Sequence, residues 1–126
     1  MKAPLSDTLV ICDMDNTLLT AKAGIPACNR AVIQLYTSMG GLFTVATGRP
    51  PESIRAALGD IKLSLPAISC NGALLYDFST DSVLHRSTLN REQATTAILD
   101  ILNKFPRMGV EVMAGNGEMY VIHANE

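Results

Sequence analysis

Two carboxylates one residue apart, Asp13 and Asp15, close an apolar run that reads TLVICDMDNTLL over residues 8–19. A bend after such a run can aim both side chains into one small volume. Close carboxylates repel, and they are tolerated where a divalent cation neutralises them or where one of them holds a proton. Their chemistry can then divide. One carboxylate attacks phosphorus to form an aspartyl phosphate, and the other gives a proton to the leaving alcohol and later takes one from water. Mg²⁺ bridging Asp13 and a phosphoryl oxygen would cancel the repulsion between an anionic nucleophile and an anionic substrate. Backbone amides after Asp13, beginning at Met14, together with Thr47 would hold the other phosphoryl oxygens.

Two further polar stretches belong with the acidic pair. Thr47-Gly48-Arg49 supplies a hydroxyl, a glycine amide and a guanidinium, all donors suited to an oxyanion. Asn71 follows a third apolar run and can face the same place. Each has a bland counterpart: an Asp/Asn-rich turn after a strand, a Thr-Gly turn before a proline-started helix, and an Asn-Gly turn favoured for backbone reasons.

The elements that must position these residues follow from the hydrophobic pattern. Residues 8–12 read as a strand buried on both faces, as in a parallel α/β sheet, which puts Asp13 at its carboxyl end and Asp15 in the loop beyond. In open α/β sheets ligands bind at that edge. A loop over 16–25 leads to Pro26 and a helix over 26–39, with Cys28, Val32, Leu35, Tyr36 and Met39 at the spacing of one buried face. Gly40-Gly41 ends it, and 42–46 is a second strand, parallel to the first through a right-handed crossover. Ile54, Ala57 and Leu58 give the next short helix its buried face, and 65–70 reads as a third buried strand. Asn71-Gly72 turns the chain into an antiparallel hairpin of 73–77 with 83–86.

From Leu89 onward the pattern changes. Asn90 with Gln93 resembles a helix cap with its partner, and Ala94, Ala97, Ile98, Ile101, Leu102 and Phe105 form a stripe at helical spacing. Strands at 110–114 and 119–123 follow, paired around Gly115-Asn116-Gly117. The fold class is therefore α/β, a partial Rossmann-like parallel sheet with helices followed by a partial α+β unit of helix, strand and strand. A boundary near Ser87 divides the chain into 1–87 and 88–126.

Composition narrows the function classes. The 126 residues, 48% hydrophobic, can bury one sizeable core, while 17% charged residues and a net charge of −2 leave no broad basic field for nucleic acid or an anionic membrane. No apolar run reaches the roughly 20 residues of a membrane helix, and MKAPLSD has no signal-peptide core, so a cytoplasmic protein is expected. Cys12, Cys28 and Cys70 are widely spaced in apolar surroundings and read as buried free thiols. His85 and His123 have no His or Cys at ligand spacing and read as structural or solvent-facing.

DMDNT after the first strand, ATGR after the second and SCNGALLYD after the third resemble the haloacid dehalogenase-like phosphohydrolases, particularly the Cof-type sugar-phosphatase branch. The resemblance implies that Asp13 is the nucleophile, Asp15 the general acid/base and Thr47 the phosphate-binding hydroxyl, with Arg49 and Asn71 matching the branch's motifs. It implies Mg²⁺ held by the Asp13 side chain and the Asp15 carbonyl, and a small phosphorylated metabolite, a sugar phosphate by branch, as substrate. Residues 88–126 would be the first half of a cap domain.

Members of that family also carry a lysine motif and a later acidic pair, both beyond the cap. Neither Lys62 nor Lys104 sits at a matching strand end, and the sequence closes at Glu126. The expectation is the N-terminal part of a longer phosphatase, impaired without those motifs, whose first strand would show an unpaired apolar edge. Completion by a companion chain or by a second copy is the other reading. A non-catalytic phosphate- or Mg²⁺-binding or assembly module remains the alternative from a different class. A phospho-acceptor receiver domain fits less well, because its acceptor belongs on a later strand and it does not explain Thr47-Gly48-Arg49.

Overall fold

The structure, a computed structural model, describes residues 4–20 and 24–124. Residues 21–23 of the predicted 16–25 loop, and the chain ends at 1–3 and 125–126, lie outside the described residues. The parallel unit is β1 (Leu9–Cys12), α1 (Ala27–Ser38) and β2 (Leu42–Val45), with Leu9 opposite Leu42 and Cys12 opposite Val45. Then come α2 (Pro51–Leu58) and β3 (Ala67–Ser69), which joins β2 in parallel through a bridge between Ala46 and Ile68. A single 3₁₀ turn at Cys70–Gly72 reverses the chain into β4 (Leu74–Asp77), antiparallel to β3, and β4 pairs in turn with β5 (Ser82–Arg86). Last come α3 (Arg91–Lys104) and the antiparallel pair β6 (Val110–Met113) and β7 (Met119–His123).

This is the predicted α/β order, with every strand within a few residues of its expected place. Pro51 opens α2, where its missing N–H costs nothing, and Asn90 Oδ1 caps α3 by accepting from the Gln93 amide at 2.8 Å. The core lies between the strands and α2: Met14, Phe43, Val45, Ile54, Leu58 and Ala67 are all buried there, joined by Leu18, Leu19 and Ile25 from the loop after β1.

Four expectations are corrected. β1 is not buried on both faces: Leu9, Val10 and Ile11 are 45%, 40% and 51% exposed, because β2 pairs with one edge and no described strand pairs with the other. The inward face of α1 is carried by Ile33, with Tyr36 half-buried, whereas Cys28, Val32, Leu35 and Met39 point to solvent. Helical spacing alone cannot tell two adjoining apolar stripes apart, and the β1–β2 pair is too narrow to cover both. The α3 stripe is likewise only half covered, with Ile101 and Phe105 exposed, because among the described residues β6 and β7 are the one sheet formed after it. Of the thiols, Cys70 is buried and Cys12 half-buried, but Cys28 is exposed.

Candidate active site

Parallel pairing brings the carboxyl ends of β1, β2 and β3 to one edge, and the predicted polar residues follow those ends directly. After β1 the chain folds tightly around the Met14 carbonyl, which accepts from the amides of Thr17, Leu18 and Leu19 at 3.4, 3.0 and 2.7 Å. The Met14 side chain is completely buried, so this residue offers only its backbone to a ligand. Its burial anchors the turn and leaves the flanking Asp13 and Asp15 exposed. Thr17 Oγ1 donates to Asp13 Oδ2 at 3.2 Å, which orients the first carboxylate and leaves its other oxygen free of protein partners among the described residues.

The end of β2 is held just as closely. The Thr47 amide donates to the Ile68 carbonyl at 3.0 Å, and the Asn71 amide donates to the Thr47 carbonyl at 3.1 Å. Thr47 Oγ1 accepts from the Arg49 amide at 3.3 Å and is nearly buried, so its own hydroxyl proton can be directed to a ligand. A Cβ at Gly48 would lie 2.9 Å from Asn71 Oδ1, so any other residue there would push the Asn71 side chain aside. Cys70 and Asn71 both take left-handed backbone, with φ of 52° and 55°, a costly pair of conformations that throws Asn71 back over Gly48. The Asn-Gly turn thus lies against the candidate site, and its backbone geometry alone accounts for Asn71.

Arg49 ties the segments together. Its Nε donates to Asp15 Oδ2 at 2.9 Å and Nη2 to Asp15 Oδ1 at 2.7 Å, a two-pronged pair, while Nη1 donates to Ser53 Oγ at 2.9 Å. Of the seven predicted site residues, Asp15 and Arg49 are joined through their side chains, Thr47 to Arg49 through the Arg49 amide and Asn71 to Thr47 through the backbone, with Gly48 against Asn71 and Met14 anchoring the turn, while the Asp13 carboxylate is hydrogen-bonded to Thr17 rather than to this group. Sequence reading missed Thr17, Ser53 and Ser69. Thr17 and Ser53 each lie four residues beyond the side chain they bind, a spacing that was available as a signal. Ser69, fully buried and donating to the Arg49 carbonyl at 2.7 Å, had none, because its partner is distant in sequence. Lys62 lines a separate cavity with Arg55, Leu58 and Phe78, and so supplies nothing here.

Hydrogen bonds from Arg49 hold the Asp15 carboxyl below the usual carboxylate range, outweighing the opposing effect of burial, with a still smaller lowering from the Arg49 charge. In this arrangement Asp15 is an acceptor and not yet an acid. A depressed folded value means that the pair's contribution to stability is present above the ordinary carboxylate pKa and is lost as pH falls through the folded one. Arg49→Met is therefore expected to raise the Asp15 pKa toward the ordinary value of about 4. Carbon NMR of the Asp15 carboxyl across an acid titration reads this directly, and an unchanged midpoint would contradict the pairing.

A hard cation is the metal these residues can fit. Among the described residues no group of three or more His, Cys, Asp or Glu side chains gathers, so no all-protein cage exists. The free Asp13 oxygen and the Asp15 carbonyl are nonetheless hard donors of the kind Mg²⁺ takes when substrate phosphate and water complete its shell. Among the described residues no helix is long and apolar enough to cross a membrane. The turn between β6 and β7 reaches back to this region: a Cβ on Gly117 would lie 2.9 Å from Pro51 Cδ, at the start of α2.

Comparison with known proteins agrees with the fold. Residues 10–126 match the family described as haloacid dehalogenase-like hydrolase. The 5-amino-6-(5-phospho-D-ribitylamino)uracil phosphatase YwtE of Bacillus subtilis is 37% identical over 93 residues, covering 74% of this chain and 31% of that protein. The pyridoxal phosphate phosphatase YbhA of Escherichia coli is 27% identical over 100 residues, covering 79% and 36%. A solved haloacid dehalogenase-like hydrolase from B. subtilis superposes with a TM-score of 0.73 at 24% identity, over 94% of this chain and 40% of that one. The chain thus spans about a third of the length of the curated relatives it matches.

Proposed function

Because this chain belongs to the haloacid dehalogenase-like hydrolases, we propose that it carries the phosphoryl-transfer half of a Mg²⁺-dependent phosphatase for small phosphorylated metabolites. The observation that carries the reading is the convergence of Asp13, Asp15, Thr47, Arg49 and Asn71 at adjoining strand ends. In it, Asp13 attacks phosphorus to form an aspartyl phosphate, oriented by Thr17. Asp15 passes a proton to the leaving alcohol and takes one from the hydrolytic water. The Met14 amide, Thr47, Gly48, Arg49 and Asn71 receive the phosphoryl oxygens. Mg²⁺, held by the Asp13 carboxylate and the Asp15 carbonyl, would supply charge neutralisation between nucleophile and substrate. The names of YwtE and YbhA support a phosphorylated metabolite as substrate. The sugar-phosphate preference rests on the branch resemblance alone.

The proposal places the phosphohydrolase core at 1–87 and the first part of a cap at 88–126, in a cytoplasmic protein. The exposed apolar strand β1 and outer face of α1 favour completion by a companion chain or a second copy. They equally favour a second reading, a non-catalytic module that keeps the phosphate cradle. Calorimetry with inorganic phosphate and Mg²⁺ tests the cradle: saturable binding that is lost in Thr47→Ala is expected, and no heat would sink both readings. A stable, soluble monomer by native mass measurement would argue against an obligatory partner.

A further inference from the structure

Arg49 has a fixed backbone and a movable head. Its carbonyl accepts from Ser69 Oγ at 2.7 Å and from the Cys70 amide at 3.1 Å, and its own amide donates to Thr47 Oγ1 at 3.3 Å. These bonds come from the second and third strand ends, so the main chain cannot shift without breaking the site. The guanidinium is held differently. Nε and Nη2 are both given to Asp15 and Nη1 to Ser53, and the Arg49 and Asp15 side chains are 34% and 53% exposed.

A pair this open to solvent holds loosely, since water competes for both partners. A phosphoryl group offers guanidinium a matching pair of oxygens with more negative charge than a carboxylate. Asp15 and Arg49 line one cavity of about 280 Å³ with Asn16, Leu19, Thr20 and Ala57. That cavity leaves the guanidinium open on one side, although Asp13, Thr47 and Asn71 do not line it, so an anion that reaches Arg49 meets the guanidinium while it still clasps Asp15. Each Asp15 oxygen accepts one bond from the clasp, so the carboxyl stays aimed at the guanidinium until the clasp opens.

Resting on the phosphoryl-transfer reading above, we propose that Arg49 is a substrate-exchanged latch. It clasps Asp15 before the anion enters and hands its Nε–Nη2 face to the phosphoryl oxygens on entry. Ser53 holds Nη1 as the pivot, and both oxygens of Asp15 are released toward the leaving group. Arg49 is in this way a contact to the phosphoryl group and, through the exchange, a positioning residue for Asp15.

Competition gives the test its sign. Inorganic phosphate with Mg²⁺ is titrated calorimetrically into the wild type, Asp15→Asn, Arg49→Met and the double variant, and the Arg49 Nε–H resonance is followed in ¹⁵N-labelled wild type. With the internal competitor weakened, Asp15→Asn is expected to bind phosphate about two- to fivefold more tightly, as befits an exposed pair. That gain is expected to vanish in the Arg49→Met background, and the Nε–H resonance is expected to move saturably with phosphate. An equal gain in the Arg49→Met background would assign it to relief of charge repulsion and overturn the latch. So would an Nε–H resonance that stays in place at saturation. In both of those cases phosphate still binds and the cradle stands, whereas binding by neither the wild type nor Asp15→Asn overturns latch and cradle together.

Discussion

Turnover of a generic phosphate monoester by this chain alone is expected to run at least about a hundredfold below that of an intact phosphatase of its family, and Asp13→Asn is expected to remove what remains. The reason is electrostatic. A transferring phosphoryl group spreads charge over its oxygens, and each preorganised donor aimed at them contributes to lowering the barrier. The site assembled here has Thr47, Arg49, Asn71 and backbone amides, but among the described residues no lysine stands beside Asp13, and Lys62 lines a different cavity. Among the described residues no second acidic cluster joins Asp13 and Asp15 either. Steady-state release of phosphate with Mg²⁺ present, compared between the wild type and Asp13→Asn, measures both halves of the expectation. Turnover equal to that of an intact relative, abolished by Asp13→Asn, would mean that the strand-end residues suffice without the lysine and acidic motifs.

Ile54→Ala is expected to destabilise the chain by about 2–5 kcal/mol, a large share of the roughly 5–15 kcal/mol that holds a typical domain together. Ile54 is completely buried and joins α2 to the core made by Met14, Phe43 and Val45. Little can close over the cavity, because the strands on its far side are fixed by their register. The consequence reaches the site: Ser53 precedes Ile54, and Arg49 leads into the same helix, so loosening α2 frees the pivot of the guanidinium. Urea unfolding followed by circular dichroism gives the loss, and a shift below about 1 kcal/mol would show that α2 is not part of the cooperative core.

How much of this was legible beforehand differs from element to element. β2 and α2 were readable because their burial depends on near neighbours, and Ile54, Ala57 and Leu58 turned inward as their spacing required. The cap of α3 was readable for the same reason, since Asn90 and Gln93 are three residues apart. The inner face of α1 was misread because Val32, Leu35 and Met39 are as apolar as Ile33, and only the width of the sheet beneath decides which stripe is covered. β1 was misread as doubly buried because an apolar run reports what a strand is suited to contact. It does not report which neighbours are there.

The same division runs through the site. Sequence by itself determined the chemical kinds and their order: a carboxylate pair after one strand, hydroxyl, glycine and guanidinium after the next, and an amide after the third. It also determined that these groups share an edge, because a right-handed parallel crossover aligns carboxyl ends. Only the tertiary structure decided which groups touch. Arg49 grips Asp15 across 34 positions, and Ser69 fixes Arg49 across 20. Contacts of that separation leave no periodic trace in a chain, since they depend on strand register and on the left-handed turn at Cys70 and Asn71. The acidic pair, to which the sequence already gave different roles, also has unequal surroundings once folded: Asp13 keeps an oxygen free of protein partners among the described residues, and Asp15 has both of its oxygens bound.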